Sequence, residues 1–173
     1  MNVVIMQKPN MVLRKKTAIE QLEIIKTNLL NLNYWPMWNK FANRILSEKR
    51  GMLSVNQRID LHRVAAQQLV EDMWSIKAIN HGQQPNFCQV ILLWHGQKIN
   101  GRTSALAIKN LEIDITIVHD KEGGIECSAW WEVSKLSRLL GFGNKLAIQI
   151  TKQIFQDLTE NGIHRFKDDF NEI

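Results

Sequence analysis

A chain of 173 residues with 45% hydrophobic and 23% charged side chains is long enough for one packed core, short for two independent domains, and too apolar for intrinsic disorder. Its net charge of +5, with a pI near 9.3, favours an anionic partner such as nucleic acid or an acidic membrane face. No run approaches the roughly 18 apolar residues of a membrane span. In the opening MNVVIMQKPNMVLRKK the basic residues follow the apolar ones, the reverse of a secretory signal, so a cytoplasmic chain without a membrane partner is expected.

Residues 1–10 read as a loose arm or a short added strand ending at Pro9 and Asn10. Thr17 to Glu20 is a T-x-x-E capping box, and Ala18, Leu22, Ile25, Leu29 and Leu32 follow on one face, which predicts an amphipathic helix. Asn33-Tyr34-Trp35-Pro36 breaks it, and Pro36 suits the start of a short second helix with Trp38, Phe41 and Ile45 inward, ending near Lys49-Arg50-Gly51. Ser54 to Gln57 is a second capping box and predicts a long third helix, with Ile59, Ala66, Leu69, Val70, Met73 and Trp74 inward and a stop at Asn80-His81-Gly82.

After Gln83-Gln84-Pro85-Asn86 the period changes. Phe87 to Trp94 predicts a buried strand, His95-Gly96-Gln97 and Asn100-Gly101 predict turns, and Ser104 to Ile108 a further short strand. Leu111, Ile113, Ile115 and Ile117 alternate with polar residues, a strand to Val118, and the loop His119 to Gly124 leads into another at Ile125 to Ala129. A helix, a turn at Gly141-Phe142-Gly143 and a second helix capped by Asn144 complete the unit 125–158. The tail from Asn161-Gly162 carries Phe166 and Phe170 and reads as a docked short helix or a frayed end. The expected fold is therefore α+β: N-terminal helices (1–82, for dimerisation or partner contact) followed by a small antiparallel sheet and a strand-helix-turn-helix unit (83–173), in one compact domain overall.

Within that unit, Leu136, Ser137, Leu140, Gly141, Phe142, Ala147 and Ile150 have a spacing that resembles helix-turn-helix and ribbon-helix-helix DNA-binding regulators. The resemblance implies a dimeric transcription regulator with double-stranded DNA as partner; conjugative plasmids encode regulators of this build. It implies that Asn144, Lys145, Gln149 and Lys152 read bases or grip phosphate, and that Lys135 and Arg138 contact the backbone. In the ribbon form, backbone N–H groups of Gly143, Asn144 and Lys145 would hold a phosphate. The family begins near its ribbon, whereas here more than half the chain precedes it, and Trp130 and Trp131 suit a core or a dimer interface better than DNA.

A second basic patch, Arg44, Lys49, Arg50, Arg58 and Arg63 with Lys40 and His62 nearby, reads either as a clamp for a polyanion or as a solvated ridge. Cys88 and Cys127, apart and outside any CxxC pair, read as buried reduced thiols. His62, His81, His95, His119 and His164 lack metal-ligand spacing, so no metal or cofactor is expected, and no small-molecule ligand is evident. Two rivals remain beside the regulator: a non-catalytic adaptor or chaperone using the Trp-rich helices, and a metal-dependent nuclease built on Asp114 and Glu126.

Overall fold

The computed structural model describes residues 7–82, 87–104, 107–118 and 123–166. An antiparallel sheet dominates the chain. Strand β1 (Met11–Lys16) is followed by helix α1 (Ile19–Leu30), a 3-10 turn (Leu32–Tyr34), the single-turn helix α2 (Trp35–Trp38) and strand β2 (Arg44–Leu46). Then come β3 (Arg58–Ala65), β4 (Gln68–His81), β5 (Phe87–Ile99), β6 (Arg102–Thr103), β7 (Ile108–Val118) and β8 (Gly124–Val133). Helices α3 (Lys135–Leu140) and α4 (Phe142–Glu160) close the described chain. The strand order is β1-β8-β7-β5-β4-β3-β2, with β6 paired to β5.

One face of this sheet carries the core. Alternate residues Ile59 and Leu61, Trp74 and Ile76, Val90 and Leu92, Ile113, Ile115 and Ile117, and Cys127 and Ala129 are buried there. Against them α4 lays Ala147, Ile150, Ile154 and Leu158, and α1 lays Leu22, Ile25 and Leu29, so the helices share one side of the sheet. Two indoles pack among the buried residues of the helical layer. Trp35 is 1% exposed, donates from Nε1 to the Leu29 carbonyl at 3.0 Å, and meets Trp38 edge to face at 5.6 Å.

Polar clamps tie the helical layer together. Asn28 Nδ2 donates to the carbonyls of Gly162 and His164 at 2.7 and 2.8 Å, fastening α1 to the end of α4. The wholly buried Asp157 accepts from the Lys40 backbone N–H at 2.9 Å and from Gln153 at 2.7 Å. Lys15 donates from β1 to the Thr159 carbonyl in the last turn of α4, where the helix dipole favours a cation.

The expected α+β arrangement of N-terminal helices before a small sheet is corrected at three places. First, the long helix predicted from Ser54 onward is the β3–β4 hairpin. Ile59 and Leu61, then Val70, Trp74 and Ile76, alternate inward, and Ala66 and Gln67 form the two-residue turn with φ of 48° and 63°. The Ser54–Gln57 pair exists, but Gln57 uses it to organise a loop: it accepts from Ser54 N and donates to Ser47 Oγ and the Lys49 carbonyl.

Second, the helix around Trp38 lasts only four residues, and Ile45 lies on a strand. The helix α1 is present, yet its cap is Ala18 with no side-chain bond, and the Thr17 hydroxyl is buried without a partner among the described residues. Third, His95-Gly96-Gln97 is not a turn. It sits inside β5 as a bulge, where His95 is the extra residue between the pairs Met73–Gly96 and Trp74–Trp94. The loop at His119 and the tail beyond Phe166 lie outside the described residues; Phe166 itself packs against Tyr34 with ring centroids 6.0 Å apart.

Candidate functional site

The bulge in β5 builds the most unusual polar group in the interior. Trp94 and Gln97 are three residues apart, yet the bulge turns both toward the core face, opposite Trp74 and Asp72 of β4. Asp72 is 2% exposed, and its Oδ1 accepts from Gln97 Nε2 at 2.9 Å and from Trp94 Nε1 at 3.3 Å. Its Oδ2 stands 3.5 Å from Arg63 Nε, an ion pair, but neither atom has a hydrogen-bond partner among the described residues. The Arg63 guanidinium rests 4.6 Å above the Phe41 ring centroid, a cation over an aromatic face.

This group borders a cleft between the N-terminal half of α4 and strands β3 and β5. The cleft has a volume of about 280 Å3 and is lined by Lys40, Phe41, Arg63, Gln97, Leu146, Gln149, Ile150 and Gln153. Phe41, Leu146 and Ile150 give it apolar contact, and Lys40, Arg63, Gln97, Gln149 and Gln153 give it polar and charged groups. Chemically it offers a few apolar contacts beside several hydrogen-bonding side chains, one of which, Arg63, has its charge already balanced by a buried carboxylate. Sequence reasoning missed Asp72 and Gln97. The available signal was a carboxylate inside the alternating run Val70, Asp72, Trp74, Ile76, where a buried charge demands a partner.

The residues expected to contact DNA at the C-terminal unit are all exposed: Lys135, Arg138, Asn144, Lys145, Gln149 and Lys152. Their setting differs from the expected one. Asn144 is not a helix cap, since α4 begins at Phe142, and its side-chain oxygen accepts from Trp131 Nε1 at 2.9 Å. The Gly143 N–H that would hold a phosphate is buried and donates to Ser137 Oγ at 2.9 Å. Strand β8, which would have to pair with its twin to make a ribbon, is an interior strand between β1 and β7. As for α4, it packs along the sheet for its whole length instead of crossing a short partner helix.

The second basic patch is split by the pleat of β3. Arg58 points outward with Asp60 and His62, and Arg44 pairs opposite His62 on the edge strand, while Arg63 turns inward to the cleft. Arg50 donates back to the Ile45 carbonyl at 3.0 Å, and Lys49 lies exposed beside it. Asp114 and Glu126 share the outer face of the sheet. Asp114 accepts from Gln89 and Thr116, with burial raising its pKa, and Glu126 accepts from Arg14 Nε at 2.6 Å. Among the described residues no three His, Cys, Asp or Glu side chains form a group able to hold a metal ion.

The two thiols are inside the core. Burial pushes Cys88 up to about 11 and Cys127 up to about 12, so both stay protonated at neutral pH. A thiol-reactive disulfide reagent at mildly alkaline pH is therefore expected to label neither in the native protein and both in denaturing urea. Rapid labelling of the native chain would place at least one of them at the surface. No helix among the described residues is long and apolar enough to cross a membrane.

No protein-family model matches the chain, and no curated protein matches it in sequence. Solved structures do match in shape. A hypothetical protein from Helicobacter pylori is 8% identical with a TM-score of 0.57, over 92% of this chain and 89% of that one. The di-domain ARO/CYC StfQ from the steffimycin biosynthetic pathway is 9% identical with a TM-score of 0.55, over 88% of this chain and 48% of that one. A START superfamily protein from Mycobacterium smegmatis is 12% identical with a TM-score of 0.50, over 85% and 93%. The likeness overturns the expected ribbon-helix-helix or helix-turn-helix fold, and with it the reading as a DNA-binding transcription regulator of conjugative-plasmid type with double-stranded DNA as partner. At these identities it is the fold that is shared: an antiparallel sheet gripping a long C-terminal helix, as in START and Bet v1-like structures.

Proposed function

We propose that the chain is a non-catalytic binding protein that holds a small organic molecule, part apolar and part hydrogen-bonding, in the cleft between α4 and strands β3 and β5. The observation that carries this reading is the cleft itself, in which Phe41, Leu146 and Ile150 lie among the polar groups of Lys40, Arg63, Gln97, Gln149 and Gln153. Because Asp72 balances Arg63, that guanidinium suits an uncharged acceptor such as a carbonyl or ether oxygen better than a free carboxylate. The ligand is small, since the cleft has a volume of about 280 Å3. Binding is preferred to catalysis because the two carboxylates that touch the lining are both engaged, Asp72 by Trp94, Gln97 and Arg63 and Asp157 by Gln153 and Lys40, and neither is poised as a base. One of the similar folds bears a name consistent with such a role, a START superfamily protein.

The uncharged aromatic probe N-phenyl-1-naphthylamine is expected to bind the native protein saturably with enhanced fluorescence. Replacing Leu146, half-buried on the cleft wall, by Trp should fill the cleft and weaken binding at least about tenfold, with little change in melting temperature. Equal binding by wild type and Leu146→Trp would remove the cleft as the site.

A further inference from the structure

The corner between α3 and α4 carries the most exposed large hydrophobic side chains of the described helices. Leu136, Leu139 and Leu140 recur at the spacing of one helix face and are 69%, 85% and 59% exposed, and Phe142 beyond the turn is 64% exposed. Nothing among the described residues covers them, although the same corner is rigidly built beneath. Ser134 caps α3 by accepting from Ser137 N, Gly141 takes a φ of 72° to reverse the chain, and Gly143 is wedged against Ala107, Ser137 and Val133. Four large apolar groups are thus held out in water by a well-fixed backbone.

Cations surround this apolar tip. Lys135 and Arg138 project from α3, and Lys145 from the first turn of α4, all exposed. Between Cys127 and Gln156 the sequence has four cations, Lys152 being the last, against the single carboxylate Glu132. We propose that this corner docks on an anionic lipid bilayer, with Leu136, Leu139, Leu140 and Phe142 entering the interfacial zone and Lys135, Arg138 and Lys145 lying among the headgroups.

The chemistry separates a bilayer from other occupants. A stable protein interface covers about 800 Å2 on each partner, far more than a six-residue helix and its turn present. An apolar tip with a cationic base matches the layering of a membrane surface, hydrocarbon beneath and phosphate above, and the long cationic stems can reach up to the headgroups. Duplex DNA would be served by the cations but repelled by the four bare hydrocarbons between them. The docking stands apart from the ligand cleft, which lies farther along α4.

The test is co-sedimentation of the whole chain with vesicles of phosphatidylcholine alone and of phosphatidylcholine mixed with phosphatidylserine. Wild type should bind the mixed vesicles, bind the neutral ones at least about tenfold more weakly, and lose affinity as salt is added. The double variant Leu139→Asp and Phe142→Asp should lose binding about a hundredfold at unchanged melting temperature, because neither side chain supports the core. Changing Lys135, Arg138 and Lys145 each to Gln should weaken binding roughly fivefold per cation. Absence of binding to the mixed vesicles overturns the proposal. So does equal affinity for both vesicle types, or undiminished binding by the Asp variant. A wild-type dimer that the Asp variant converts to monomer would show the corner to be a contact between two copies, which also overturns it.

Discussion

Replacing Trp35 by Ala is expected to destabilise the fold by about 3–5 kcal/mol, the largest single-residue effect in the molecule. The ring is 1% exposed, packs edge to face on Trp38, and donates to the Leu29 carbonyl, so truncation opens a cavity and also strips a buried carbonyl of its partner. The comparison that gives this meaning is Trp130→Ala. Trp130 is half-buried on the opposite face of the sheet and donates to the Gln7 carbonyl, and its removal should cost about 1 kcal/mol or less. Urea unfolding followed by far-ultraviolet circular dichroism measures both. Equal midpoints for the two variants would mean that the helices do not pack on the sheet face described.

Gly143→Ala is expected to be the second strongest, destabilising by about 2–3 kcal/mol even though alanine favours a helix by about 1 kcal/mol. A Cβ there would stand 2.6 Å from the Ala107 carbonyl oxygen, 2.6 Å from Ser137 Oγ and 2.7 Å from Val133 Cγ1. A serine hydroxyl could turn aside, but a backbone carbonyl next to β7 cannot, so α4 would have to lift from the sheet. Gly141→Ala meets nothing within 4 Å and costs only the left-handed backbone, about 1 kcal/mol. Thermal unfolding of both variants gives the order. A Gly143→Ala protein more stable than wild type would contradict the seating of the first turn of α4.

How much could be read from residues alone follows from which signals were local. Helix α1, the turn at Asn100-Gly101 and the strands at Phe87, Leu111 and Ile125 were legible, because period and turn chemistry lie within a few residues of each other. The β3–β4 hairpin was not. Its turn, Ala66-Gln67, carries neither Gly nor Asn despite positive φ at both residues, and Leu69, Val70, Met73 and Trp74 also satisfy a helical spacing. The inward alternation of Ile59, Leu61 and Arg63 was the discriminating signal, hidden because its third member is charged.

Strand β1 was obscured for a similar reason, since MVLRKK gains its structure by pairing with β8 more than a hundred residues later. The cleft was still less accessible. Arg63, Asp72 and Gln97 come from three strands and meet only because a bulge at His95 turns Gln97 inward, which no short-range pattern encodes. The C-terminal corner was located correctly as a helix pair about a glycine turn, but its second helix serves the sheet. The six polar residues singled out there are at the surface because they form the outward side of a gripped helix, a geometry that a recognition helix shares.

The two margins of the sheet have a bearing on behaviour in concentrated solution. One margin, β2, offers only three residues for hydrogen bonding, and the other, β1, runs through Arg14, Lys15 and Lys16 in succession. Unpaired strand borders otherwise invite a neighbouring chain to add its own strand, the first step toward fibrils. Brevity on one side and a run of cations on the other make these two borders of the described sheet poor templates for such addition.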